Sequence, residues 1–156
     1  MSLKKLTEKD VQKLKTFKER VNSEKGFINF NTDEASIESL IRIFNTTTHG
    51  NWVVVEKDEI IGLIYYERKE PEYFKIHTVV VLNSQRGRGL AKSLIEKVEN
   101  EASQKKVKKV KLSVEKGNEK VNEFYVKLGY VLKRTTKETY DFEKNLSENK
   151  KSYTSW

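Results

Sequence analysis

Cysteine is absent from this chain of 156 residues, which removes disulfides, thiol nucleophiles and thiolate metal sites together. Histidine is scarce: His49 and His77 are the only two. They lie far apart and in no ligand spacing, so no metal site is expected. Proline occurs once, as Pro71, so no proline-rich linker divides the chain, and neither a repeat nor a low-complexity tract does so. No apolar run approaches the ~20 residues of a membrane span, so no membrane partner is expected. The opening Met1-Ser2-Leu3-Lys4-Lys5 is too polar for an export signal, which makes the cytoplasm the expected compartment. Its first three residues could come from a cloning vector. These absences exclude the secreted, membrane-spanning and metal-stapled classes.

Charge, by contrast, is abundant. The 31 basic and 23 acidic residues leave +8, and 35% of residues are charged against about 25% in a typical domain. With 36% hydrophobic residues, a chain of this length buries roughly 68–70% of its unfolded surface and is expected to form one domain. A basic balance suits nucleic acid, an anionic membrane or a phosphorylated ligand. The densest tract is Lys105-Lys106-Val107-Lys108-Lys109-Val110-Lys111. Val110, Leu112 and Val114 alternate there with Lys111 and Ser113, as in a strand with lysines on its wet side. No aromatic residue interleaves with the lysines to stack bases, which argues against nucleic acid as the partner.

Thr7-Glu8-Lys9-Asp10 reads as the cap of a first helix with Val11, Leu14 and Phe17 at helical spacing. A loop through Gly26 follows. A second helix starts after Asn31-Thr32-Asp33, with Ile37, Leu40, Ile41 and Phe44 as its apolar stripe. The period then changes to that of strands at 52–56, 60–67 and 73–82, a meander with short connections. Residues 89–102 form an amphipathic helix with Leu90, Leu94, Ile95, Val98 and Ala102 inward. A strand at 107–114 and a helix at 118–128, ended by Gly129, come next. Last strands are expected at 130–133 and 138–142, and a loose tail at 147–156. An antiparallel half joined to a β-α-β crossover defines an α+β fold with helices covering a sheet.

The chemistry concentrates where the strand Val79-Val80-Val81-Leu82 runs through Asn83-Ser84-Gln85 into Arg86-Gly87-Arg88-Gly89-Leu90-Ala91-Lys92. Glycines let a ligand approach the backbone, the helix start offers free N–H groups and a positive dipole end, and three cations converge. Phosphate is the natural guest. Neither dinucleotide nor triphosphate loop patterns fit these residues; an ordinary flexible turn is the plainer alternative.

Arg86-Gly87-Arg88-Gly89-Leu90-Ala91 resembles the R/Q-x-x-G-x-G/A signature of the GNAT superfamily of N-acetyltransferases. Downstream, Asn118 to Tyr130 is similar to that family's N-x-x-A-x-x-F-Y-x-K-x-G-F segment, with Val121 for alanine and Tyr130 for phenylalanine. The likeness covers residues 50–135 well and the leading helices of 1–49 by order only. It implies a mixed, mostly antiparallel central sheet with helices on both faces and a β-α-β core that binds acetyl-CoA, all within a single domain, 1–156. It further implies that Val79, Val80, Val81, the loop Arg86 to Lys92, Asn118 and Tyr125 hold the cofactor, and that Tyr125 is the general acid.

Without cysteine, an acyl-cysteine route is closed, so direct attack by a primary amine on acetyl-CoA is the simplest mechanism. The amine must lose a proton and the departing thiolate gains from one. His77, with an unperturbed pKa of ~6.5, and Glu67 are candidate bases. Lys75 stands near the place where relatives carry a glutamate, and Glu115 is another carboxylate near a strand end. A packed strand residue is the plainer reading of His77. A silent CoA-binding or sensor module of the same fold is the competing function, and a monomer or homodimer the expected assembly. A net charge of +8 also disfavours a polycationic acceptor.

Overall fold

The computed structural model describes residues 1–24 and 34–146. The expected loop through Gly26, the cap at Asn31-Thr32-Asp33 and the tail at 147–156 lie outside them. The described residues hold seven strands and four α-helices in an α+β arrangement, and no helix among them is long and apolar enough to cross a membrane. The chain divides into two compact units, 1–66 with 78–95 and 67–77 with 96–156.

In the first unit, β1 (Ser2–Lys4) pairs antiparallel with β2 (His49–Glu56), Leu3 opposite Val54. Three residues carry no period of their own, so β1 is invisible in the sequence, where 1–49 reads as two helices. Thr7 caps a short 3-10 turn by accepting the Lys9 N–H, and Asp10 accepts the Thr7 N–H at 2.8 Å. Helix α1 (Val11–Ser23) follows, burying Leu14, Phe17 and Val21 together with Lys18. Ile37, Ile41 and Phe44 of α2 (Glu34–Phe44) are buried, whereas Leu40 is half-exposed. Buried Asn51 joins the elements, accepting the Leu6 N–H at 2.9 Å and donating to the Phe44 carbonyl at 3.1 Å. Neighbouring strands run in the order β1, β2, β3 (Glu59–Lys69), β4 (Tyr73–Val81). The five residues expected inward on α3 (Leu90–Gln104), Leu90, Leu94, Ile95, Val98 and Ala102, are all buried.

The second unit takes in the ends of β3 and β4 that meet at their turn, and the rest of α3. Its strands neighbour one another as β4, β5 (Lys109–Glu115), β7 (Thr139–Asn145), β6 (Val131–Thr135). Phe74, Lys75 and Ile76 pair parallel with Val110, Lys111 and Leu112, and β5 with β7 and β7 with β6 are antiparallel. All five residues of β6 are exposed, and the register slips between Leu132 and Arg134.

One expectation is reversed here. The helix expected at 118–128 is a 3-10 turn at 119–121 followed by α4 (Asn122–Lys127). By helical spacing Val121, Phe124 and Leu128 would form its core stripe with Tyr125 on the edge, yet those three are only half-buried and Tyr125 is the buried residue at 8% exposure. A 3-10 turn advances 120° per residue rather than 100°, so it rotates the inward stripe. The Phe124, Tyr130 and Phe142 rings surround Tyr125 at 5.2, 6.1 and 6.2 Å.

Candidate functional site

In the first unit β4 ends in the glycine-bearing turn. Pairing of β4 with β5 is confined to Phe74–Ile76, so beyond it Val79, Val80 and Val81 keep one backbone edge unpaired by a strand among the described residues. Val80 and Val81 are buried and Val79 is half-exposed. A 3-10 turn over Asn83–Gln85 redirects the chain, and both carboxylate oxygens of Glu24 accept the Asn83 N–H at 3.0 and 3.1 Å. Gly87 and Gly89 then adopt φ +83° and +75°, left-handed backbone that other residues reach only with strain. A Cβ on either would meet nothing within 4 Å, so the space over the loop is open.

Ser93 donates to the Gly89 carbonyl at 3.0 Å. The amides of Leu90, Ala91 and Lys92 therefore precede the first bonded turn of a helix whose positive end faces the loop. Leu90 is buried and anchors that start, Ala91 is half-buried, and Arg86, Gly87, Arg88, Gly89 and Lys92 are exposed.

The Arg88 charge is already engaged. Its guanidinium grips the Glu56 carboxylate with both terminal nitrogens, at 2.7 and 3.2 Å, and also donates to Gln85 Oε1. Glu56 is held below its ordinary carboxyl value chiefly by that hydrogen bond. Of the three loop cations expected to meet a phosphate, Arg88 therefore has a competing carboxylate. Nothing in the sequence points to Glu56, 32 residues away.

In the second unit the two candidate bases meet. Nε2 of His77 donates to Glu67 Oε1 at 2.9 Å, and the Lys69 ammonium lies 3.0 Å from Glu67 Oε2. The hydrogen bond from His77, then that from Lys69, lowers the Glu67 carboxyl pKa. With its proton committed to Glu67 on Nε2, a neutral His77 ring carries its lone pair on Nδ1. His77 is an exposed residue of β4, its side chain 34% accessible. Lys75 points to the same side of β4 by alternation, and Glu115 ends β5, exposed.

Around α4, Asn118 is half-exposed, and its side chain makes no cap bond to the turn that it precedes. Asn122 Oδ1 is buried with no hydrogen-bond partner among the described residues. The Tyr125 phenol is pushed up to about 12 by burial and so stays protonated near neutrality. Tyr130 is engaged differently, its hydroxyl donating to Glu99 Oε2 at 2.8 Å while Lys144 contacts Glu99 Oε1 at 3.2 Å. Burial and the nearby Glu99 charge push the Tyr130 phenol far upward.

The sequence and the fold are similar to those of known proteins. The family model described as the acetyltransferase (GNAT) family matches residues 16–130, and the chain belongs to that family. Among solved structures, PaiA N-acetyltransferase from Thermoplasma acidophilum, crystallised in complex with coenzyme A, is similar at TM-score 0.71 and 18% identity. That match covers 92% of this chain and 98% of the other. An acetyltransferase from Thermus thermophilus is similar at TM-score 0.76 and 15% identity, covering 93% and 97%. An aminoglycoside 6'-N-acetyltransferase complexed with coenzyme A is similar at TM-score 0.72 and 15% identity, covering 94% and 97%. No curated protein matches the chain. The fold is that of GNAT acetyltransferases.

Proposed function

We propose that the chain, acting as one catalytic domain over 1–156 and in the cytoplasm, transfers the acetyl group of acetyl-CoA to a primary amine. The observation that carries this reading is the Val79–Lys92 junction, with two left-handed glycines, open space above both and a helix start behind them. That cradle suits a pyrophosphate, because backbone amides and a dipole end can face an anion that no side chain there obstructs. Gly87, Gly89 and the amides of Leu90 to Lys92 bind it, with Arg86 and Lys92 adding charge. The coenzyme A complexes of two structural neighbours support the same ligand class.

Acetyl-CoA supplies an activated acyl carbon. The unpaired backbone edge of Val79, Val80 and Val81 supplies N–H donors for the carbonyl oxygen as it gains charge. In the second unit, His77 takes the amine proton on Nδ1, and Glu67 orients the ring and stabilises its cation. Asn118 and Asn122 offer carboxamides to the pantetheine. As the nitrogen–carbon bond forms and the carbon–sulfur bond breaks, Tyr125 donates to the departing sulfur. A phenol raised to about 12 is a firm hydrogen-bond donor but a reluctant acid toward a thiolate of pKa ~8.5. Its contribution is therefore greatest while charge is building.

The experiment is a thermal shift with coenzyme A followed by an amine screen with acetyl-CoA, monitoring thiol release. At a hundredfold excess over Kd, binding stabilises the native state by about 2.7 kcal/mol. No shift at millimolar coenzyme A would overturn the reading. A shift without acetylation of any amine would leave a binding module in its place.

A further inference from the structure

The second unit carries a basic patch that catalysis does not use. Along β4, buried Phe74 and Ile76 alternate with Tyr73, Lys75 and His77 on the open face. Along β5, buried Val110, Leu112 and Val114 alternate with Lys109, Lys111 and Ser113 on the same face. The parallel register sets Lys75 directly beside Lys111. Like charges side by side on neighbouring strands repel, and the arrangement persists with little compensation. Lys111 and Lys109 share one carboxylate, Glu143, at 3.4 and 3.9 Å. Lys75 has no carboxylate within ion-pair distance among the described residues. Among the described residues these three ammonium groups thus have one carboxylate within ion-pair distance, with Asp141 and Glu115 farther along the same face. Lys111 is also braced by the Tyr73 ring, 4.2 Å from its Nζ, which reduces the entropy lost when it grips a ligand. The neighbouring Glu67 does not neutralise the patch, because its oxygens are taken by His77 and Lys69.

The pair Lys75–Lys111 lies two residues along β4 from His77, about 7 Å at the rise of a strand. Resting on the amine-transfer reading above, we infer that this patch selects the acceptor: a primary amine that also carries a carboxylate. Lys75 and Lys111 hold the carboxylate, and the amine is presented toward His77. A carboxylate two or three carbons from the amine spans the gap, as in a free acidic amino acid or a peptide beginning with Asp or Glu. The same lysines disfavour an acceptor with a second ammonium group.

The test compares kcat/KM for four acceptors: free glutamate, free glutamine, and tripeptides beginning with Glu or Gln. Expressed as the Glu-to-Gln ratio, a general loss of activity in any variant cancels. The wild type should favour the acidic member of at least one pair by about tenfold at low salt, with the preference shrinking as salt rises. Which pair responds tells the free amino acid from the peptide. Lys75→Gln and Lys111→Gln should each lower the ratio, and Lys75→Glu should invert it. Equal rates for both members of both pairs, or a ratio unmoved by all three variants, would overturn the inference and leave the transferase reading standing. No acetylation of any amine, with the coenzyme A thermal shift retained, would overturn both.

Discussion

Glu67 Oε1 accepts a hydrogen bond from His77 Nε2 at 2.9 Å, so the two candidate bases form one unit rather than two alternatives. His77→Gln removes the proposed proton acceptor and should lower kcat by the 10²–10⁴-fold typical of general acid–base catalysis. Glu67→Gln keeps a side chain at the ring but withdraws the charge, so a smaller loss and an altered pH–rate profile are expected. The double variant should be barely slower than His77→Gln alone. Fully additive losses would show that the residues act separately.

The same pair sets a pH dependence of stability. Glu67 titrates below its ordinary 4.5 in the folded protein because His77 and then Lys69 hydrogen-bond to the ionised form. A depressed folded pKa contributes stability above the unfolded value that disappears as pH falls through the folded one. The Tm gap between wild type and Glu67→Gln should therefore be open at pH 6 and close as the pH drops below about 4.5.

Gly89→Ala tests the proposed phosphate-binding role of the glycine turn with the smallest possible change. No neighbour lies within 4 Å of the added methyl group, so the cost comes from its φ of +75°. That strain is about 1–2 kcal/mol, equivalent to roughly 2–8 °C in Tm for a chain of this size. If the loop escapes the strain by turning away, the coenzyme A shift should weaken as well. Gly89→Glu should abolish it.

Tyr125 and Tyr130 are five residues apart and both buried, yet their phenylalanine variants should separate. The Tyr130 hydroxyl donates to the Glu99 carboxylate at 2.8 Å, and loss of such a charged hydrogen bond costs about 1.5–3 kcal/mol. Tyr130→Phe should lower Tm and spare kcat. Tyr125→Phe should lower kcat and leave Tm nearly unchanged, because its ring contacts survive. Melting curves and single-turnover rates on both variants decide.

Lys18 is fully buried on α1, and desolvation lowers its pKa to about 7 from 10.5. Between these values the unfolded chain holds a proton that the folded one does not, so stability rises with pH across that window. Lys18→Met should raise Tm, most at pH 7 and below, with the gain dwindling toward pH 10. A gain independent of pH would mean that packing, not charge, is responsible.

The helices and strands whose apolar residues repeat over several turns are legible from sequence: α3 buries Leu90, Leu94, Ile95, Val98 and Ala102 as its spacing dictates. The glycine turn is legible for the same reason, since left-handed backbone calls for glycine. Features built from distant partners are not. β1 exists through its pairing with β2, Asn51 is buried by bonds to Leu6 and Phe44, and Glu56 meets Arg88 across 32 residues. The α4 stripe turned because a 3-10 entry changes the rotation per residue, which no apolar count reveals. The Glu67–His77 bond depends on the β3–β4 register, although both residues were visible as titratable groups.

The register slip on β6 has a consequence for the life of the protein in a crowded solution. An outermost strand with Val131 and Leu132 exposed at 56% and 46% would otherwise be a template onto which another chain could add, strand by strand. The slip between Leu132 and Arg134 breaks the even row of donors and acceptors that such growth requires. Arg134, tethered to Asp141 at 2.8 Å, places a charge at the point where an incoming strand would have to lie flat. The protein thus tolerates a greasy margin without inviting fibres.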